Sequence, residues 1–321
     1  MRLNNIQKIL FITLTNIGDA VLTLPVLSAL KQNFPGAKID VVAGPRPKDI
    51  FIKDPRINNI FTYDKHALLK DKIAFITKLR KERYDLAVDM RKSLIPFLIG
   101  SIYRTSIFSI ETSGARHKKS AHLNKLKPLG ITYREERNIY IDENDRVKID
   151  RLLVEFGVNK GDILIGVSPI SRSPLKEWHK QGFIEVIDTL LEEGRYKVVL
   201  IGDVNEVNSS KEIENSIKHK GLINLTGQTN LNELFALIER LGILLTCDSA
   251  NLHIACGLGI KVVAIFGPTD HREYGPRGPK DIVIRKNLKC SPCKKAVCRF
   301  NHECMSQIKP EEVLEAIKMA L

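Results

Sequence analysis

The 321-residue chain lacks any run of about 18 or more apolar residues, the length a membrane-spanning helix needs. Its amino terminus carries no basic segment followed by an apolar stretch and a small-residue cleavage site, so a soluble, cytoplasmic protein is expected. Aromatic residues are scarce, with a single Trp, and no basic stripe interleaved with aromatics occurs. A nucleic-acid partner is therefore not expected. No Asp-x-Asp is present, so the sequence offers no short-range carboxylate clamp for a divalent cation. The six cysteines, four of them gathered near the end, do not form the disulfide framework of a small secreted domain.

What the chain does have is length for two domains, because single cores usually stop growing below this size. Lys plus Arg number 50 against 37 Asp plus Glu, a net charge of +13. Such a field favours phosphorylated ligands, nucleic acid or an anionic membrane, without choosing among them. Short apolar strands alternate with helical segments through two similar halves, the pattern of parallel α/β sheets. Strand candidates in the first half are Lys8 to Leu14, Ile39 to Ala43 and Leu86 to Asp89. The second half restarts with Ile163 to Pro169, then Val198 to Asp203, Ile243 to Asp248 and Val262 to Gly267. Helices are predicted over Phe183 to Leu191, Glu206 to Lys218 and Leu231 to Arg240, and a closing helix starts with Pro310 at its first position. The boundary is placed near Gly157 to Gly161, giving Rossmann-like domains over 1–158 and 159–321, the second with a cysteine-bearing tail.

The chemistry is expected at strand ends. Asp19 follows the first strand through the corner Thr15-Asn16-Ile17-Gly18 and leads into a helix, which places one carboxylate at a sheet's carboxyl edge. Helix capping is the bland alternative for it. Asp248-Ser249-Ala250-Asn251-Leu252-His253 also joins a strand to a helix, whose first N–H groups suit a diphosphate. Asp248 or Ser249 would otherwise be an N-cap, and His253 a packed core histidine. The loop carrying Ser171 and Lys176 has hydroxyl and cationic groups for phosphate, or else is a solvated loop anchored by Trp178. Asp203 and Glu206 lie where an acidic side chain meets a ribose hydroxyl, though such residues also start helices. Cys247 and Cys256 read as small core residues. Cys290, Cys293, Cys298 and Cys304, with His302 nearby, allow a structural zinc site or free, reversibly oxidised thiols.

Taken in order, Asn16 to Pro25, Lys176-Glu177-Trp178, Asp248 to His253 and Phe266-Gly267-Pro268-Thr269-Asp270 resemble the ADP-heptose:lipopolysaccharide heptosyltransferases, glycosyltransferase family 9, over nearly the whole chain. The resemblance implies a GT-B fold, two Rossmann-like domains facing each other across a cleft, with the acceptor held by the first and the nucleotide-sugar by the second. It implies an inverting, metal-independent transfer of heptose from ADP-heptose to the lipopolysaccharide inner core, without a cofactor. By the same matching Asp19 is the base, Ser171 and Lys176 meet the diphosphate or sugar, and Ser249 with the amides of Ala250 and Asn251 meets the diphosphate. Asp248 and His253 fall in the sugar-nucleotide pocket. The family's usual Asp-Thr-Gly-x-x-His reads Asp-Ser-Ala-Asn-Leu-His here, so Ala250 keeps a backbone donor but adds a methyl where phosphate approaches.

An inverting displacement needs its base on the face opposite the leaving diphosphate, and Asp19 and the Lys176/Ser249 pair lie in different halves as required. The base need not be strong, because the acceptor hydroxyl becomes acidic only as its oxygen bonds to the sugar carbon. The acceptor implied is a lipid A-Kdo core, which brings peripheral contact with the anionic, cytoplasmic face of the inner membrane. Arg91, Lys92, Arg104, Arg116, His117, Lys118, Lys119 and His122 are candidates for its phosphates and carboxylates, or for a merely solvated face. The alternatives carried are a family member with another donor or acceptor and a non-catalytic nucleotide-sugar-binding protein.

Overall fold

A computed structural model describes all residues except 1, 2, 4, 108–116, 218 and 220. Arg116 lies outside the described residues. The chain forms two compact units, Met1–Tyr140 and Ile141–Leu321. In the first, strands β1 (Lys8–Ile12), β2 (Lys38–Ala43), β3 (Ile57–Thr62), β4 (Leu86–Asp89) and β5 (Tyr103–Arg104) make one parallel sheet in the order β3-β2-β1-β4-β5. In the second, β6 (Ile163–Ser168), β7 (Tyr196–Leu200), β8 (Leu222–Asn224), β9 (Ile243–Cys247), β10 (Lys261–Ile265) and β11 (Ile282–Ile284) make a parallel sheet ordered β11-β10-β9-β6-β7-β8.

Both orders step away from the first strand in one direction and then restart on its other side. Each sheet thus has one switch point, between β1 and β4 and between β6 and β9, where the connections leave in opposite directions and open a crevice at the carboxyl ends. The central strands are nearly continuous Ile, Leu and Val because helices cover both faces. Ile9, Leu10, Phe11 and Ile12 of β1 are fully buried, as are Ile243, Leu244, Leu245 and Cys247 of β9.

The predicted strands are present. The edge strands β3, β5, β8 and β11 are additional to them. The helix Glu143–Glu155 belongs to the second unit, so the boundary falls earlier than the expected 158/159. Asp142 caps it through Asn144 N at 2.9 Å, and Arg146 Nε pairs with Glu239 Oε2 at 2.7 Å on the helix Leu231–Glu239. Lys148 pairs with Glu233 on that same helix, fixing the segment by contacts some ninety residues away in sequence. The closing helix, Pro310–Ala320, has Pro in its first turn as predicted and buries Val313, Ala316, Ile317 and Ala320. Among the described residues no helix is long and apolar enough to cross a membrane.

Candidate functional site

At the switch point of the first unit, the turn after β1 opens the short helix Ile17–Val21 with Asn16 at its N-cap. The Asn16 side chain makes no cap bond; its amide donates to Asp19 Oδ2 at 3.0 Å and so holds the partly exposed carboxylate. Across the switch point, Asp89 ends β4, and its carboxylate accepts from Arg91 N (2.7 Å), Ser93 N (2.6 Å) and Ser93 Oγ (2.7 Å). Lys125 Nζ donates to the Met90 carbonyl at 3.1 Å. Burial pushes the Lys125 ammonium down, opposed by the Asp89 charge.

His122 is the notable group on this edge. Its Nδ1 is buried and without a hydrogen-bond partner among the described residues. Burial first, and then the Lys125 charge, lower it to about 4, while the Asp19 carboxylate pulls the other way. It is therefore a neutral imidazole near neutral pH, not one of the cations the sequence suggested. Its folded-state pKa lies below the ordinary 6.5, so on acidification the unfolded chain takes up the proton first. Stability from this group is complete above about pH 6.5 and falls progressively toward pH 4. The wild type should lose about 2 kcal/mol more than His122→Gln across that window, read by urea unfolding at each pH. Parallel pH profiles would refute the assignment. Of the other basic residues, Lys119 pairs with Glu135 at 2.5 Å, and Arg91 stacks 4.7 Å from the Tyr63 ring centroid.

In the second unit the sequence-predicted residues gather at the β6/β9 switch point. Lys176 Nζ meets Asp248 Oδ2 at 2.7 Å, and the Asp248 side chain is only 6% exposed. Ser171 Oγ donates to the Asp248 carbonyl at 3.3 Å, while its N–H donates to Glu177 Oε1 at 3.0 Å. The Asn251 amide donates to Ser168 Oγ at 2.9 Å, joining the helix start to the end of β6. Ser168, buried at the last position of β6, was not among the sequence candidates; a hydroxyl ending an apolar strand is the signal for it.

Ser249 occupies the N-cap position of the helix Ala250–Leu258 but makes no cap bond; its hydroxyl pairs with Thr246 Oγ1 at 2.9 Å. The first-turn amides of that helix have no intrahelical acceptor and carry its positive end. Ala250 lies in this first turn. His253 is buried, its ring 6.3 Å from that of Tyr274. The loop after β10 is fixed by Asp270, whose bidentate pairing with Arg272 holds its carboxyl well below the usual range.

Glu206 lies apart from this cluster in its bonding. Its Oε2 accepts from Asp203 N at 2.9 Å while Asp203 accepts from Asn205 N at 2.8 Å, a capping box ahead of the helix Val207–Ser216. A Cβ at Gly202 would come within 2.5 Å of that carboxylate, so the glycine makes room for it. Burial raises the Glu206 pKa, opposed by the Asp203 amide.

The cysteine-bearing segment braces the loops that follow β6 and β10. Ser291 Oγ donates to the Gly267 carbonyl (2.6 Å), Lys294 N to Pro268 (2.8 Å) and His302 Nε2 to Leu175 (2.5 Å). Trp178 Nε1 donates to Ile308 at 3.1 Å and anchors the other side of the Lys176 loop. Cys290, Cys293, Cys298 and Cys304 line one cavity of about 190 Å³, and all are free thiols. Among the described residues no three His, Cys, Asp or Glu are placed to hold a metal ion. Burial raises Cys304, as do its three neighbouring sulfurs, and burial pushes Cys247 up to about 12. Cys247 is the core residue expected, but Cys256 is exposed because its helix turns that position to solvent.

The chain is 28% identical over 333 residues to lipopolysaccharide heptosyltransferase 3 of Escherichia coli K12, with 95% of each covered. Its fold is similar to the crystal structure of a glycosyl transferase family 9 protein from Veillonella parvula, with a TM-score of 0.84 at 24% identity over 100% of this chain and 98% of that one. It is similar also to E. coli ADP-heptose lps heptosyltransferase II, with a TM-score of 0.77 at 21% identity over 98% of each. The α/β, GT-B fold class expected from the sequence is the one observed. The profile of glycosyltransferase family 9 (heptosyltransferase) matches residues 127–303, more than half of the sequence, and the chain belongs to that family.

Proposed function

We propose that the chain transfers heptose from ADP-heptose to the lipopolysaccharide inner core with inversion and without a metal. The observation that carries this reading is the cluster at the β6/β9 switch point, where Lys176, Ser171, Ser249 and the first amides of the helix Ala250–Leu258 meet at one sheet edge. A cation beside a helix amino terminus stabilises a leaving diphosphate electrostatically. ADP-heptose is the donor named for a structural relative, and lipopolysaccharide the substrate named for a relative in sequence.

In the proposed reaction the Asp19 carboxylate accepts the proton of the acceptor hydroxyl as that oxygen bonds to the anomeric carbon. The carbon–oxygen bond to the diphosphate breaks from the opposite face, and ADP leaves with both electrons of that bond. Lys176 and the helix amides take up the charge that develops on the diphosphate. Asp248 positions Lys176 through its ion pair, and Asn251 ties the helix start to Ser168. Glu206 remains a proposed ribose contact; in that role its carboxylate would be shared with the Asp203 amide. The first unit holds the acceptor in this reading. In the same reading the lipid part of that acceptor brings the protein to the cytoplasmic face of the inner membrane.

The donor assignment is tested by a thermal-shift screen of ADP-, UDP-, GDP- and CMP-sugars. A ligand at about a hundred times its dissociation constant stabilises the native state by about 2.7 kcal/mol, so ADP-heptose and ADP should raise the melting temperature most. A response to another base with none to ADP would reject the donor.

A further inference from the structure

Two neighbouring helices of the first unit expose large apolar residues to solvent. In the helix Ile95–Leu98, Ile95 is buried in a core cluster with Leu10, Ile12, Leu79 and Ile99. Its outward residues are no more polar: Leu94, Phe97 and Leu98, followed by Ile102, are 60, 62, 48 and 70% exposed. The neighbouring helix Leu69–Lys81 repeats the feature at its amino end, where Leu68, Leu69 and Ile73 are all more than half exposed. An amphipathic surface helix turns polar residues outward, and a soluble chain seldom leaves this much aliphatic and aromatic surface in water. These helices follow β4 and β3 respectively, so the exposed residues lie toward the carboxyl edge of the sheet that also carries Asp19 after β1.

Cations accompany them. The Arg104 guanidinium lies 5.3 Å from the Phe97 ring centroid, with Nη1 donating to the Ser101 carbonyl at 3.1 Å. Lys65 and Lys70 are exposed beside Leu68 and Leu69, with Lys72 partly so. Asp64 and Asp71 are the acidic residues interspersed there. Leu and Phe side chains with Arg and Lys at their margin suit the boundary of an anionic bilayer, where the apolar groups enter the acyl region and the cations reach lipid phosphates.

We infer that Leu94, Phe97, Leu98 and Ile102, with Leu68, Leu69 and Ile73, form the surface by which this protein docks on an anionic lipid bilayer. The inference deepens the proposed function, since it presents the Asp19 edge to an acceptor held in the membrane. Its test does not depend on transfer. The full chain is floated with vesicles of phosphatidylglycerol mixed with phosphatidylethanolamine and, separately, with phosphatidylcholine alone.

The wild type should float with the anionic vesicles and much less with the neutral ones. The triple substitution Leu94→Ser/Phe97→Ser/Leu98→Ser should weaken that partition at least about tenfold. Lys70→Glu/Lys72→Glu should weaken it mainly at low salt. Both should keep the wild-type melting temperature, and turnover of a water-soluble acceptor should be unchanged. If the triple variant does not fold, Phe97→Ser and the lysine pair decide. Failure of the wild type to float, or flotation of the variants like the wild type, would overturn the inference. So would a self-association of the wild type, seen by light scattering, that these substitutions abolish while vesicle binding stays absent. Loss of transfer with intact vesicle binding would instead count against the proposed reaction alone.

Discussion

Asp19→Asn is expected to lower kcat by about 10² to 10⁴, the range a positioned general base contributes, with donor affinity and melting temperature unchanged. The substitution keeps the size of the side chain and its contact with Asn16 while removing the ability to accept a proton. Asn16 at the N-cap makes no side-chain cap bond, and Asp19 is a partly exposed first-turn residue, so the substitution should cost little stability. Steady-state release of ADP gives kcat and isothermal calorimetry gives donor affinity. Near-normal turnover would remove Asp19 from the base role.

Lys176→Ala should reduce kcat/KM by about 10² to 10³, the cost of removing one group that stabilises developing charge. A second effect follows from the ground-state geometry. Asp248 is almost wholly buried and its carboxylate meets Lys176 at 2.7 Å, so the alanine variant leaves a buried charge without that partner. Because the Lys176 side chain is itself about a third exposed, solvent softens this loss to about 1 to 2 kcal/mol. The two effects separate in the double variant. Lys176→Ala/Asp248→Asn should recover stability in urea unfolding without recovering rate. Kinetics unchanged by Lys176→Ala would reject the diphosphate contact, and equal recovery of rate and stability would make the lysine purely structural.

The features that were legible in the sequence are those whose cause is local. Strands such as Ile9 to Ile12 and Ile243 to Cys247 are buried on both faces and read as apolar runs, and Pro310 marks a helix start because its missing N–H is not needed there. The turn from β9 into the helix at Ala250 was legible for the same reason. What escaped was set by distant contacts. In β3, Asn58 and Asn59 interrupt the apolar pattern, yet both amides donate to Asp40, which is fully buried on β2 and also accepts from the Tyr84 hydroxyl. Nothing near Asn58 in the sequence announces that network.

The candidate residues of the two units show the same division. Asp19, Ser171, Lys176, Asp248, Ser249, Asn251 and His253 fall at strand ends that the apolar pattern marks. Asp203-x-x-Glu206 is a capping-box spacing as well as a place for a ribose contact, and the structure forms that box. In the sequence His122 is one basic residue in a basic stretch. Its neutral state comes from burial beside Lys125, a fact of tertiary packing that composition cannot carry.

The central claim is tested most directly by mass spectrometry of a reaction containing the purified protein, ADP-heptose and a heptose-less inner-core acceptor. The account predicts that the acceptor gains the mass of one heptose as one equivalent of ADP forms, and that Asp19→Asn yields neither. Donor binding without any change in acceptor mass, or conversion of the donor that proceeds equally well when the acceptor is left out, would contradict it.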